Sequence, residues 1–170
     1  MNKKPKINKK ILNKKRSLSR LMAAQILFQH DFFEKARNLE EIKEEVIENY
    51  ALEIEENVSS YRDKIDGDLL NNLITGLALN LQKIDEDITE FLQEGWTIAR
   101  LEDMTRQLLR LGTFELKFML DVPLKVAIDE YVDIAACFSE GKKVTFVNAT
   151  LENLAKKFRA EEFEKIKTQK

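Results

Sequence analysis

A chain of 170 residues with five Gly, two Pro and a single Cys is long enough to bury one core, too poor in turn residues for a sandwich or barrel, and unable to close an internal disulfide. Its net charge is only −2, yet nine of its 28 Lys and Arg lie in residues 1–30 with no Asp or Glu, which leaves 19 cations against 30 anions, a balance of −11, in the other 140 residues. That asymmetry suits a nucleic-acid-binding end on an acidic body; no apolar run approaches the ~20 residues of a membrane span, and no secretory signal follows the basic start, so a cytoplasmic protein without membrane partners is expected.

Residues 1–13 are short, charged and aperiodic, and residues 1–15 read as a flexible basic arm. The first helix is predicted over 17–35, with Leu21, Ala24 and Leu27 on one face and Leu18, Met22 and Phe32 widening it. Lys14, Lys15, Arg16 and Arg20 crowd its start. Cations there oppose the helix macrodipole, an arrangement that a phosphate ligand would relieve.

Residues 36–66 are the most acidic stretch, with Asn38 and Glu41 spaced as a capping box. Their apolar stripe runs through Leu39, Ile42, Val46, Ile47, Tyr50, Ile54, Val58 and Tyr61, so the acids are expected to face solvent or a basic partner, on a side that nucleic acid avoids. Helical spacing continues from Gly67 to Gln93, and Gly76 inside it points to a close helix contact. Acids between Lys83 and Asp87 leave one long helix or two shorter ones open. Gly95-Trp96 starts a connection, with Trp96 read as a packing anchor and RNA stacking as the lesser alternative.

From Arg106 to Met119 the chain is too apolar all round for one stripe, which predicts a helix with neighbours on several sides. Pro123 ends it and starts the next, because proline disfavours helix before itself and suits a first turn. The next helix closes at Ser139-Glu140-Gly141, where glycine can take a left-handed cap. Thr145 is placed to cap a third, striped by Val147, Leu151, Leu154 and Phe158. Beyond Phe158 the chain is charged and is expected to fray by Lys165, leaving 161–170 as a tail. The sum is an all-α domain over 16–160, about seven helices in two packed sub-bundles, 17–93 and 102–160.

Catalytic machinery is not evident. His30 is the lone histidine, Cys137 sits in an apolar AACF run and reads as a buried thiol, and neither a Gly-rich phosphate loop nor zinc spacing is present. The expectation is a non-enzyme without cofactor or metal. The loop Glu140–Lys143, running into Phe146 at a helix start, is suited to hold a phosphate through Lys142 and Lys143 beside one ring.

Three motifs carry a resemblance: Leu109–Leu116 as L-R-L-x-x-x-E-L, Val122–Glu130 as V-P-x-K-V-A-I-x-E, and Phe146-Val147-Asn148 with Leu151 three residues on. Together they resemble the C-terminal half of the NusB family of transcription antitermination factors. Arg16 and Arg20, leading into Ala23-Ala24-Gln25-Ile26-Leu27-Phe28, match that family's N-terminal run. Ser17 and Leu18 stand where further arginines are usual, and Ala149 replaces a glycine. The resemblance implies binding of boxA-like single-stranded RNA of ribosomal transcripts. It further implies joint action with the small-subunit ribosomal protein NusE in an RNA polymerase antitermination complex. It implies RNA contact at Phe146 and, near a family aromatic, at Phe91. Phe28 stands at the family's tyrosine position with Phe32 one turn on; both are expected to meet the protein partner or a second copy of the chain, with core packing the alternative. A non-RNA helical adaptor module is the rival reading.

Overall fold

The computed structural model describes residues 7–168, which hold nine α-helices and one 3-10 turn and no strand. Internal contacts divide the chain into two compact units, residues 1–75 and 76–170. The division falls inside a helix rather than near Gln93, and nine helices replace the expected seven or so.

The first unit opens with α1 (Lys9–Leu12) and α2 (Lys15–Phe32), followed by α3 (Leu39–Glu53), α4 (Val58–Arg62) and the start of α5 (Gly67–Thr89). Three of these begin alike. Asn8, Asn38 and Asn57 hold extended backbone angles, and their side chains accept the N–H of Lys10, Glu40 and Ser59 at 2.9, 2.7 and 2.8 Å. Each cap satisfies a donor that the helix itself leaves unpaired. Asn38 therefore caps α3, but through the Glu40 amide rather than the Glu41 amide of the predicted capping box. Within the stretch expected to be an aperiodic arm, Lys9–Leu12 instead forms a helical turn whose Ile11 is only 3 % exposed. Residues 1–6 of that arm lie outside the described residues. Glu34 and Lys35 take positive φ just past α2 and turn the chain toward α3. Leu21, Met22, Ile26, Ile42, Val46 and Ile47 are buried, in the helical spacing the sequence displays. The Ser19 hydroxyl accepts the Asp66 N–H at 2.9 Å, tying α2 to the turn before α5.

α5 is a single helix straight through Lys83–Asp87. In the second unit it is joined by α6 (Asp103–Phe118), α7 (Leu124–Phe138), α8 (Lys142–Phe158) and α9 (Ala160–Thr168). α6 is the axis: nearly every residue from Thr105 to Leu116 is buried, as its all-round apolar character predicts. Two glycines let neighbours close on it. A methyl on Gly76 would overlap the Phe114 ring, and one on Gly112 would stand 2.7 Å from Leu151 Cδ2 and 3.3 Å from Tyr131 Cδ2.

Polar groups inside this unit are paired. The Tyr131 hydroxyl donates to Glu115 at 2.7 Å, both groups fully buried. Arg110 grips both carboxylate oxygens of Asp85 at 2.8 and 2.7 Å, the bidentate geometry that makes arginine pairs strong. Asp87 accepts from Lys117 and, at 2.8 Å, from Lys157, which also reaches Glu90 at 2.7 Å. Burial pushes the Asp87 carboxyl up, but hydrogen bonds from the two ammonium groups outweigh it, and its pKa lies below the ordinary value. The same bonds, to Asp87 first and Glu90 second, raise Lys157.

Pro123 sits at the N-cap of α7, while α6 already ends at Phe118. Arg159 donates to the carbonyls of Val122 and Met119 at 2.8 and 3.2 Å, pinning that connection. Gly141 does take positive φ, +56°, but as the N-cap of α8 rather than the end of α7. Thr145 is consequently inside α8, its hydroxyl bonded back to the Gly141 carbonyl at 3.3 Å. Where fraying was expected, α9 forms around Phe163, which is 8 % exposed, and Glu162 accepts the Leu124 N–H at 2.8 Å. A single apolar residue among charges is too weak a signal to read. Residues 169 and 170 lie outside the described residues.

Candidate functional site

Within the second unit the connection from α5 to α6 and the first turns of α8 enclose a cleft of about 710 Å³. The connection is shaped locally. Gly95 takes φ +81°, a conformation other residues seldom adopt, and the Trp96 N–H donates to the Gln93 carbonyl at 2.9 Å. A 3-10 turn over Ile98–Arg100 follows, and Leu101, 6 % exposed, anchors its end in the core. Trp96 is left 48 % exposed, so it is not the packing anchor expected of it. Arg100 donates to the Gly95 carbonyl at 2.9 Å, which sets its guanidinium over the indole, 5.7 Å from the ring centroid.

On the opposite wall Gly141 releases α8 so that Lys142 and Lys143 occupy its first turn. The N–H groups of that turn, which no helical carbonyl can reach, add partial positive charge to the two ammonium groups. One helical turn on, Phe146 lines the cleft with Ala149, Thr150 and Asn153. Ala149, in place of the family glycine, is exposed on this wall. Glu102 is the one carboxylate among the described lining residues; it pairs with Lys143, and both side chains remain about half exposed. The cleft thus presents three rings, three cations and one acid to a ligand. That composition attracts phosphate by charge and offers flat apolar faces to bases.

Four sequence-derived candidates meet here: Phe91, Lys142, Lys143 and Phe146 all line this cleft. Trp96 and Arg100 line it as well; from sequence, stacking is only the lesser alternative for Trp96 and Arg100 has no assigned contact. Their signal is a tryptophan followed four residues later by an arginine, in a glycine-containing connection.

The other candidates belong to the first unit. Lys14 is the N-cap of α2 with no side-chain cap bond, and Lys15 and Arg16 follow in its first turn, all three exposed. Arg16 lies 3.7 Å from Asp66, a loose pair with its guanidinium half exposed. Arg20 differs: it is 2 % exposed, so its side chain is held inside the protein and not presented to a ligand. At the far end of α2, Phe28 is half-buried and stacks on Phe32 at 6.3 Å. Phe32 is 68 % exposed and meets Phe33 edge-on at 5.4 Å, and the Arg37 guanidinium lies 5.3 Å over Phe33. Phe28 is thus split between the two roles left open for it, while Phe32 is surface; Phe33 extends the patch. Cys137 is half-exposed rather than buried.

Comparison with known proteins agrees with the motifs. The NusB family profile matches residues 17–156. The transcription antitermination protein NusB of Rhodopseudomonas palustris (strain BisB18) is 34 % identical over 149 residues, covering 88 % of this chain and 86 % of its own. That of Bartonella quintana (strain Toulouse) is 35 % identical over 150 residues, covering 87 % and 92 %. Among solved structures, T. maritima NusB superposes with a TM-score of 0.68 at 34 % identity, covering 88 % of this chain and 96 % of its own. A crystal structure of antitermination factors NusB and NusE in complex with double-stranded RNA matches with a TM-score of 0.67 at 25 % identity, covering 84 % and 97 %. The fold, the three motifs and the matched span together make this chain a member of the NusB family.

Proposed function

We propose that the chain is a transcription antitermination factor that binds boxA-like single-stranded RNA of ribosomal transcripts. In this reading it acts together with the small-subunit ribosomal protein serving as NusE, within an RNA polymerase antitermination complex. The observation that carries the proposal is the cleft of the second unit, where Phe91 and Phe146 stand beside Lys142 and Lys143. Lysines at a helix start draw in the phosphate backbone without regard to sequence. Rings that line an open cleft stack bases only when those bases are unpaired, since a duplex keeps its own faces covered. The solved relative holds double-stranded RNA; the rings here favour a single strand or a looped-out base.

Lys14, Lys15 and Arg16 supply a second set of cations at the start of α2, on the opposite end of that helix from the Phe28, Phe32 and Phe33 patch. Arg20, being buried, is no part of that set. The aromatic patch is the surface offered to the ribosomal protein, or to a second copy of the chain in its absence. A large ring such as Phe32, exposed at 68 % next to two others, gains most from being covered.

The test is a gel shift with boxA-like RNA, with and without the ribosomal partner. Binding of the single strand, tightened by the partner, is expected. A chain that captures the protein but leaves every RNA free would instead be the helical adaptor of the rival reading.

A further inference from the structure

We propose that Trp96, backed by Arg100, is a nucleobase-stacking platform in the cleft. This inference rests on the RNA reading above and adds to it Trp96 and Arg100 acting as one unit. Three observations carry it. Trp96 is held half exposed by local backbone, not by packing: Gly95 turns the chain at φ +81° and the Trp96 N–H is tied to the Gln93 carbonyl. Arg100 is held as well, its guanidinium fixed over the indole by the bond to the Gly95 carbonyl at 2.9 Å. Both residues line the same cleft as Phe146 and Lys142.

An exposed indole left in water loses the favourable burial that so large a ring could gain, and the local structure presents it without covering it. A guanidinium held over that ring is planar, weakly hydrated and itself a surface on which bases stack. The ligand class is an unpaired nucleotide: its base on the Trp96–Arg100 stack, its phosphate toward the α8 start.

Trp96 is the single tryptophan in the chain, so its fluorescence reports on this residue alone. Titrating the full chain with boxA-like single-stranded RNA, in the presence of the ribosomal partner if binding requires it, should quench that emission. Inorganic polyphosphate, which has the charge but no bases, should leave it unchanged. Trp96→Ala should weaken binding of a dye-labelled RNA by about 5- to 150-fold, the range for loss of one stacked base, and Trp96→Phe should restore most of it. If RNA binds, and Phe146→Ala weakens it, while the indole emission stays constant and Trp96→Ala binds as the parent does, the stacking platform is wrong and the RNA reading stands. Equal quenching by polyphosphate also overturns the platform. If neither single-stranded RNA nor its complex with the partner binds the parent chain, both readings fall together. The emission experiment uses the unaltered chain, so it decides the matter even if Trp96→Ala does not fold.

Discussion

At the scale of single residues, the close approach at Gly76 and the charge network around Asp87 have measurable consequences. Alanine is the better helix former by about 0.8–1 kcal/mol, but a methyl at Gly76 would press on a Phe114 ring that is itself 4 % exposed and has little room to retreat. Overpacking of this kind costs about 1–3 kcal/mol. Gly76→Ala is therefore predicted to destabilise by about 1 kcal/mol net in urea unfolding; a rise in stability would mean that Phe114 swings aside freely. Asp87 is held below the ordinary carboxylate range by its two lysines despite burial. Its contribution is present above the unfolded carboxyl value of about 4 and is lost as pH falls through the lower folded value. Lys157 is raised, so its share is full below the unfolded lysine value of about 10.4 and is lost as pH climbs through the higher folded one. Asp87→Asn should cost about 1.5–3 kcal/mol near pH 7, the loss of charged hydrogen bonds. Melting curves of parent and variant should converge as pH drops below about 4; a gap that stays constant with pH would show that the charge of Asp87 is immaterial.

Elements differ in how plainly their sequence announces them. The periodic helices are legible: apolar residues recur at three and four along α2, α3, α5 and α8, while α6 is buried nearly all round, its polar Gln107, Arg110, Thr113 and Glu115 included. α1 and α9 are not, because each rests on one buried residue, Ile11 or Phe163, among charges. Nothing in α5 marks the boundary after Thr75, since its periodicity runs through without a break. Part of the site is equally legible. A pair of lysines and a phenylalanine one turn apart at a helix start can be found by eye, and the cleft brings Lys142, Lys143, Phe146 and Phe91 together. Exposure is what sequence conceals. Trp96 looks like core and is half exposed, whereas Arg20 looks like surface and is buried, because each outcome depends on neighbours distant in the chain. The end of α2 yields a further prediction. Phe32→Asp replaces an exposed ring and should leave the melting temperature within a few degrees while abolishing capture of the ribosomal partner. Unchanged capture would remove the patch from the interface, and a collapsed fold would place Phe32 in the packing.

For the whole molecule, the question is where the cations act. The chain as a whole is slightly acidic, with 30 Asp and Glu against 28 Lys and Arg. Average charge therefore cannot hold RNA; local clusters at the starts of α2 and α8 must do it. Each phosphate engaged on a single strand contributes about 0.7 to the slope of log affinity against log salt. The most direct measurement is that slope for boxA-like single-stranded RNA, in the parent chain and in Lys142→Ala/Lys143→Ala. Weaker binding is expected in the variant, with a slope shallower by about 1.4, since two phosphates would no longer be neutralised. A variant with the parent's affinity and slope would contradict it, because RNA would then be held somewhere other than the cleft.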